Sequence, residues 1–323
     1  MSEHLYWHLL AHARLKPAGR IAALQAAREL DGEAANLTAW AEAAYPGVDA
    51  PTRDAVRAAF DTAAQEAFLL EELSSQGMSV VTGRDAAYPN RFKRALKQRT
   101  PVALYLAGSR DLLNARRTVA IIGSRDASPE ALDAARRAAA FFASEGLVLV
   151  SGNARGVDQE AEEAALSAGG NVVSVLPQGL LDKATATLLR KRHRGLLEGQ
   201  VALLSELHPK SRWQGRFAMM RNRLIVALAD FVIVAQTGVK ETKVEGKTAQ
   251  SGTWAGAEDA HRLGRRVFVL DLPAEGNQAL ARAFAESVSV TADNEMFYAI
   301  QDALLLPPPV RPVSTQPGLF DTP

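Results

Sequence analysis

A short basic segment, residues 210–223, combines the two kinds of side chain that single-stranded nucleic acid requires. It contains five cations and two large aromatics, Trp213 and Phe217, and it lacks carboxylates. Cations neutralise phosphates, and flat apolar rings stack on unpaired bases, where each stacked base contributes about 1–3 kcal/mol whatever its identity. The segment is equally compatible with a second interpretation, in which Phe217 belongs to the core while Arg221 and Arg223 pair with carboxylates.

The basic segment ends a longer stretch in which charge is locally unbalanced. Between Leu181 and Arg223 there are ten Lys and Arg residues against three acidic residues, whereas the whole chain has 37 Lys and Arg against 36 Asp and Glu. A formal net charge of +1 excludes attraction of nucleic acid or membrane by the field of the whole protein. An electrostatic partner must therefore be recognised by a local cluster, although residues 190–194 are also compatible with the solvated face of a helix.

Three turns rich in glycine and hydroxyl residues lie beside apolar runs and are suited to bind phosphate. They let a ligand approach the backbone, and they present N–H groups at helix starts, where anions are favoured. Two of them add an arginine, which can donate parallel hydrogen bonds to phosphate oxygens. A single turn of this kind is also common without any ligand. The candidate residues are Gly123, Ser124 and Arg125 after TVAII, Ser151, Gly152 and Arg155 after LVLV, and Ser251, Gly252 and Thr253 before a helical segment.

These turns can act together only if the strands that precede them end side by side. Eight short apolar runs, from SVVTG to RRVFVLDL, alternate with amphipathic segments of helical length. Runs without period-two alternation are buried on both faces, and helices supply the crossovers of parallel strands. The pattern predicts a doubly wound, mostly parallel α/β sheet over residues 73–295. Ligands bind such sheets outside the carboxyl ends of the strands.

The remainder of the chain divides by composition. Residues 1–72 are Ala-rich with helically spaced Leu and predict a small all-helical domain, and the proline-rich end predicts a flexible tail over residues 296–323. The N-terminus lacks a secretory signal pattern, and no apolar run is long enough to span a membrane. Together with the absence of cysteine, these features favour a cytoplasmic protein.

The sequence predicts no cofactor, no metal and no catalytic residue. No GxGxxG motif follows the first strand of the sheet, and the six histidines include no HExxH pair. His4, His8 and His12 are expected to form an exposed stripe on a helix rather than a metal site. Asp158 lies in the first turn of a helix, where a carboxylate most often stabilises the helix start.

Several ordered motifs resemble the DprA/Smf family, the DNA-processing proteins of natural transformation. They are TVAIIGSRDAS, LVLVSGNARGVDQEAEEAAL, VVSVLPQGL, RNRLIVALADFVIV and SGTWAGAEDAHRLGRRVFVL, and the likeness covers roughly residues 80–272. The resemblance implies a Rossmann-like fold, a SAM-like helical N-terminal domain, and a non-catalytic homodimer that binds and protects single-stranded DNA and helps to load RecA in DNA uptake and recombination.

Mapped onto this sequence, the family's DNA- and phosphate-binding residues fall on the three turns and on the basic segment. The resemblance adds the RNR motif at the start of a helix and a base-contacting Phe, here one residue further from that motif than usual. From the three turns come Gly123, Ser124, Arg125, Ser151, Gly152, Arg155, Ser251, Gly252 and Thr253, and from the basic segment come Lys210, Arg212, Phe217, Arg221, Asn222 and Arg223.

The sequence also departs from the family pattern. Glu162 stands where His is common, residues 237–250 form an extended segment that the family lacks, and the C-terminal winged helix of many members is not found. The alternative is a defence or toxin–antitoxin component that binds a nucleotide or a partner protein. Related lysine-decarboxylase-like enzymes hydrolyse nucleoside monophosphates with a PGGxGTxxE pattern that is missing here, and the nearest acid after Ser251-Gly252-Thr253 is Glu258.

The end of the chain contains one candidate binding peptide. Gln316-Pro317-Gly318-Leu319-Phe320 resembles the QxxLF-type peptide that docks on the bacterial sliding clamp. A clamp interaction is therefore a further expectation for the tail.

Overall fold

A computed structural model of the chain describes residues 3–16, 19, 23, 48–244 and 247–307. In these ranges, three helices precede the sheet: α1 (Glu3–His12), α2 (Ala50–Phe60) and α3 (Ala63–Ser75). The start of α2 is encoded locally, because the Asp49 side chain accepts a hydrogen bond from the Thr52 amide at 2.9 Å. Helix α3 ends at Ser75, beyond the domain boundary expected at residue 72. Much of that predicted domain, residues 24–47 above all, lies outside the described residues.

The predicted α/β sheet is present. The strands are, in chain order, β1 (Met78–Thr82), β2 (Ala103–Gly108), β3 (Thr118–Ile122), β4 (Val148–Ser151), β5 (Asn171–Val175), β6 (Val201–Ser205), β7 (Phe231–Val234), β8 (Glu241–Val244), β9 (Lys247–Gln250), β10 (Arg266–Asp271) and β11 (Glu286–Ser289). In the described part of the chain, nine of them form one sheet in the order β1-β2-β6-β5-β4-β3-β7-β10-β11. The β1–β2 and β2–β6 pairs are antiparallel and the other pairs are parallel. All eight apolar runs form strands of this sheet.

Helices cover both faces of the sheet, as the doubly wound prediction requires. They are α4 (Asn90–Leu96), α5 (Pro129–Ser144), α6 (Val157–Ser167), α7 (Lys183–Lys191), α8 (His193–Leu197), α9 (Gly215–Leu228), α10 (Gly252–Arg262), α11 (Glu275–Ala283) and α12 (Glu295–Leu305). One core cluster packs the apolar sides of α9 and α10 against the strands, and a second packs α5, α6 and α12 against the opposite face. Burial of apolar surface on both faces stabilises the sheet at about 25 cal/mol per Å².

The strand order reverses at β3. From β3 the chain adds β4, β5 and β6 on one side, whereas β7 pairs with β3 on its other side. A ligand crevice forms outside the carboxyl ends of the strands at such a reversal point. The turns after β3 and β4 therefore open onto the same crevice.

One segment differs from the sequence prediction, and a second, whose structure was not predicted, forms strands. Residues 296–305, assigned to the flexible tail, belong to α12, because Met296, Phe297 and Ile300 form a buried helical face. Part of the extended segment 237–250 forms the antiparallel hairpin β8–β9, which is separate from the main sheet. The proposed clamp peptide, residues 316–320, lies outside the described residues. Of the helices that the structure describes, none combines the length and apolar character needed to cross a membrane.

Candidate nucleic-acid interface

Two adjoining depressions lie at the carboxyl ends of the strands. The first, here called the inner cleft, has a volume of about 380 Å³ and is bounded by the turn after β3, helix α9 and the start of α10. The second, the outer groove, measures about 490 Å³ and lies between the turn after β4, residues 176–178, α7 and Trp213. Arg125, Ala154 and Arg221 line both depressions. The two form one continuous surface at the reversal point of the sheet.

Glycines bring the turns after β3 and β4 into contact. Gly156 has a φ of +85°, and a Cβ there would lie 2.5 Å from the carbonyl oxygen of Ser124 and 2.6 Å from that of Arg125. At Gly123 a Cβ would lie 2.4 Å from a methyl of Val157. Both positions therefore require glycine, and the contact holds the two turns side by side.

Arg221 lies at the junction of the inner cleft and the outer groove. Its residue is 5% exposed, and its Nε and Nη1 atoms have no hydrogen-bond partner among the described residues. A Cβ on Gly152 would lie 1.3 Å from Nη1, so glycine at 152 makes room for the guanidinium. Burial lowers the pKa of Arg221, but a guanidinium stays protonated in proteins. A buried cation with unused donors is suited to bind an anion that enters either depression.

Two buried carboxylates lie behind Arg221. Burial raises the pKa of Asp158 to about 6, although the charge of Arg221 opposes the rise. Its Oδ2 accepts a hydrogen bond from the Gly152 amide at 3.2 Å. Burial also raises the pKa of Glu162, whose carboxylate accepts hydrogen bonds from Asn153 and from the Ser174 hydroxyl. The carboxylates thereby fix the turn after β4, which agrees with a structural role for Asp158.

An exposed lip borders both depressions, formed by residues 211–217 of the basic segment. The guanidinium of Arg125 lies over the ring of Trp213, 5.7 Å from the centroid, and Trp213 is 50% exposed. Arg216 lies over Phe217 at 4.8 Å, and Arg212 is exposed. Cations and rings therefore lie beside one another on the lip, in the arrangement that unstacked bases and phosphates require.

Most of the predicted residues come together on this surface. Asn222 and Ser251 support it indirectly, because the Asn222 amide donates to the Gly252 carbonyl at 3.0 Å and Ser251 caps α10. Arg155 forms an exposed ion pair with Asp126 at 2.5 Å, a contact that contributes about 0–1 kcal/mol. The residues that line one or both depressions are Gly123, Ser124, Arg125, Gly152, Arg155, Arg221, Asn222, Ser251, Gly252 and Thr253.

Three predicted residues lie apart from the two depressions. Arg223 forms a buried ion pair with Glu206 at 2.5 Å, as the competing interpretation of the segment expected for this residue. Residues two apart on a helix point in nearly opposite directions, so Arg221 and Arg223 cannot face the same cleft. Lys210 pairs with Glu72 on α3 at 3.4 Å. Ser151 is buried below the surface and donates to the Ile121 carbonyl at 3.2 Å.

Other lining residues were not singled out from the sequence. Gln159, Gln178 and Lys191 line the outer groove, and Gly238 and Gln250 line the inner cleft. Lys191 carried a signal as a member of the basic stretch, and Gly238 and Gln250 carried one as members of the segment 237–250. The others are polar or small residues without a motif, and the fold alone places them there.

The acid proposed for nucleotide hydrolysis does not line the inner cleft. Glu258 accepts a hydrogen bond from Trp254 Nε1 at 3.0 Å and forms an ion pair with Lys240 at 2.8 Å. These contacts lower its pKa against the opposing effect of burial. The geometry gives no support to Glu258 as a base that activates water.

The prediction of an exposed histidine stripe on α1 is wrong. His8 is fully buried, and His12 is partly buried with its Nε2 atom 2.7 Å from the Tyr105 hydroxyl. The helix packs this face against α3 and the sheet, which a periodic pattern of histidines alone does not reveal. Among the described residues, His8, Glu66 and His208 form a group with metal-ligand spacing, and none of the three lines the inner cleft or the outer groove.

Comparison with known proteins identifies the family. The family model for DNA recombination-mediator protein A matches residues 79–299. Protein Smf of Borreliella burgdorferi is 30% identical over 197 residues, which are 60% of this chain and 57% of that protein. DNA processing protein DprA of Streptococcus pneumoniae is 32% identical over 170 residues, 53% of this chain and 55% of that protein. The chain thus spans somewhat more than half the length of these relatives.

Solved structures show the same fold. The X-ray structure of DprA from Streptococcus pneumoniae has a TM-score of 0.65 at 24% identity and covers 92% of this chain and 98% of that one. DNA processing protein A of Helicobacter pylori, whose structure is described for its single-stranded DNA binding mode, has a TM-score of 0.54 at 24% identity over 70% of this chain and 96% of that one. On the family match, which spans more than half of the chain, this protein belongs to the DNA recombination-mediator protein A family, the DprA/Smf family that its motifs resemble.

Proposed function

We propose that this protein binds single-stranded DNA along the inner cleft, the outer groove and the lip, without chemical turnover. The observation that carries the proposal is the pairing of two cations at one junction. Arg221 has unused donors there, and Arg125, which is exposed and stacked on Trp213, has no acidic partner in the described part of the chain. The single-stranded DNA binding mode described for the Helicobacter pylori protein supports the same ligand class.

The geometry divides the recognition into two parts. Phosphates would contact Arg125, Arg221 and the first amides of α10, since Gly252 and Thr253 begin that helix and their N–H groups have no acceptor within it. Unpaired bases would stack on Trp213 and Phe217. Duplex DNA keeps its bases stacked on each other, so the lip favours single strands.

The absence of catalysis is part of the proposal. Asp158, which lines the inner cleft, and Glu162 are buried and engaged by backbone and side-chain donors. A general base must reach the proton that it abstracts, and these carboxylates instead hold the turn after β4. Binding and positioning of DNA is the activity that this arrangement supports.

The cellular role follows from the family resemblance. We infer that the protein acts in the cytoplasm as a homodimer, protects single strands and helps to load RecA during DNA uptake or recombination. Docking of Gln316–Phe320 on the sliding clamp remains a separate proposal for the tail. Deleting residues 316–323 should abolish clamp binding in a pull-down, and unchanged binding would remove the idea.

The test of DNA binding is a titration of labelled oligo-dT at several salt concentrations, with a duplex of equal length as the control. Arg125, Arg212, Arg216 and Arg221 would supply four phosphate contacts. At about −0.7 per contact, the log–log slope of affinity against salt should be near −3. A slope near zero, or equal affinity for the duplex, would contradict the proposal.

A further inference from the structure

Three imidazole rings and one carboxylate meet where the N-terminal helices pack against the sheet. His8 and His12 belong to α1, Glu66 belongs to α3, and His208 follows β6. The ring centroids are 5.0 Å apart for His8 and His12, 5.5 Å for His8 and His208, and 5.2 Å for His12 and His208. This cluster lies outside the inner cleft and the outer groove, and the proposed DNA binding does not use it.

The ligand atoms have the spacing of a transition-metal site. Nε2 of His8 lies 2.8 Å from Oε2 of Glu66, and Nε2 of His208 lies 3.1 Å from the same oxygen. Tetrahedral Zn²⁺ with bonds of about 2.0–2.1 Å holds its ligand atoms about 3.3 Å apart. Small movements of these side chains would therefore bring all three atoms into the coordination sphere of one ion.

We propose that His8, Glu66 and His208 bind one Zn²⁺ ion. Two imidazoles and a carboxylate are ligands that suit this ion, and a water can complete the tetrahedron. The local charge agrees with a cation, because the cluster contains the carboxylate of Glu66.

The surrounding hydrogen bonds orient the proposed ligands. Nδ1 of His8 lies 2.6 Å from the Tyr105 hydroxyl, so the other ring nitrogen is directed towards Glu66. A metal-bound imidazole carries its proton on the free nitrogen, and the Tyr105 oxygen can accept it. His208 differs, because its Nδ1 accepts from the Lys210 amide at 3.3 Å. Coordination through Nε2 would break that weak bond and leave the amide of the exposed Lys210 to water.

The proposed ion would join three parts of the fold. It would tie α1 and α3 to the segment after β6, and that segment continues through Lys210 into the lip. The role is therefore structural: the ion would fix the N-terminal helices to the segment that leads into the lip. This inference does not depend on DNA binding, so the two proposals fail separately.

The test uses the full-length protein after treatment with a chelator. Equilibrium dialysis against Zn²⁺ should give one ion per chain, and Zn²⁺ should raise the melting temperature. Co²⁺ used as a probe should give the visible absorption of a tetrahedral site. His208→Gln and Glu66→Gln approximately keep side-chain size. Each should weaken Zn²⁺ binding by about 100-fold, because loss of a residue that only hydrogen-bonds to a metal ligand already costs about 10–100-fold.

The matched control is His193→Gln, which changes an exposed histidine on α8 that does not belong to the cluster. It should bind Zn²⁺ as the unmodified protein does. Circular dichroism of each variant verifies that the fold is retained. The proposal would be overturned if the unmodified protein did not bind Zn²⁺, or if His208→Gln, Glu66→Gln and the control bound it with equal affinity. The cluster would then be a hydrogen-bonded network.

Discussion

Replacing Arg125 with Ala tests the proposed DNA-binding surface most selectively. Arg125 follows β3, lines both depressions and stacks on Trp213, and its exposed side chain makes the substitution tolerable for the fold. Loss of a charge-assisted hydrogen bond costs about 1.5–3 kcal/mol in general. Because this site is exposed and screened by salt, about 1–2 kcal/mol is expected, which corresponds to about 5–30-fold weaker binding.

The assay is fluorescence anisotropy with labelled oligo-dT over a range of salt concentrations. Arg125→Ala should reduce the steepness of the log–log salt dependence by about 0.7, the value of one phosphate contact on a single strand. Arg125→Lys should keep that slope but lose part of the affinity, because lysine does not reproduce the planar fork that stacks on Trp213.

Arg116→Ala provides the matched control. Arg116 is exposed and precedes β3, at the opposite end of the strand that Arg125 follows. Both substitutions remove one positive charge, so a general electrostatic effect would change both proteins equally. Equal losses in Arg116→Ala and Arg125→Ala, or an unchanged salt slope in Arg125→Ala, would refute the assignment of a phosphate contact to Arg125.

Three further outcomes are expected. Gly152→Ala places a methyl against the Arg221 guanidinium, which must then move from its position at the junction, and oligo-dT affinity should fall. Unchanged affinity would contradict the packing described here. Asp158, whose pKa is raised to about 6, should gain a proton as pH falls from 7.5 to 5.5, and this protonation should strengthen oligo-dT binding. Asp158→Asn should flatten that pH dependence. An equally steep pH dependence in the variant would exclude Asp158 as the group that causes it. Phe297→Ala removes a fully buried ring of α12 and should cost about 3–5 kcal/mol in urea denaturation, but little if residues 296–305 behaved as a tail.

The strands of the sheet could be predicted because their burial is encoded in short apolar runs. TVAII and LVLV lack alternation, as strands covered on both faces do, and they form β3 and β4. Strand β11 could not be found in this way. Its sequence, ESVS, is short and polar, and its alternating half-buried pattern reflects its place at the edge of the sheet.

Proximity among the turns could be predicted, but the direction of individual side chains was harder. The rule that ligands gather at strand ends brought Gly123–Arg125 together with Gly152–Arg155. The RNR motif, treated as one unit, placed Arg221 and Arg223 on the same surface, although the helical period separates them. Pairing of Arg223 with Glu206 depends on a loop after another strand, which the sequence of α9 does not specify.

The histidine cluster could not be predicted from the sequence. His8 and His208 are two hundred positions apart, and Glu66 lies on a third element. No local spacing relates them, because the packing of α1 against the sheet creates the cluster. The helical period gave the face of α1 on which His8 lies, but the burial of that face is a tertiary property.

The central claim is that single-stranded DNA lies across the carboxyl ends of the strands. Hydrogen–deuterium exchange with and without oligo-dT tests it most directly. Bound oligo-dT should slow exchange at residues 123–126, 152–156, 211–217 and 251–254, and should leave residues 286–305 unchanged. Slower exchange confined to residues 286–305 or to the N-terminal helices, with no change at these turns, would contradict the claim.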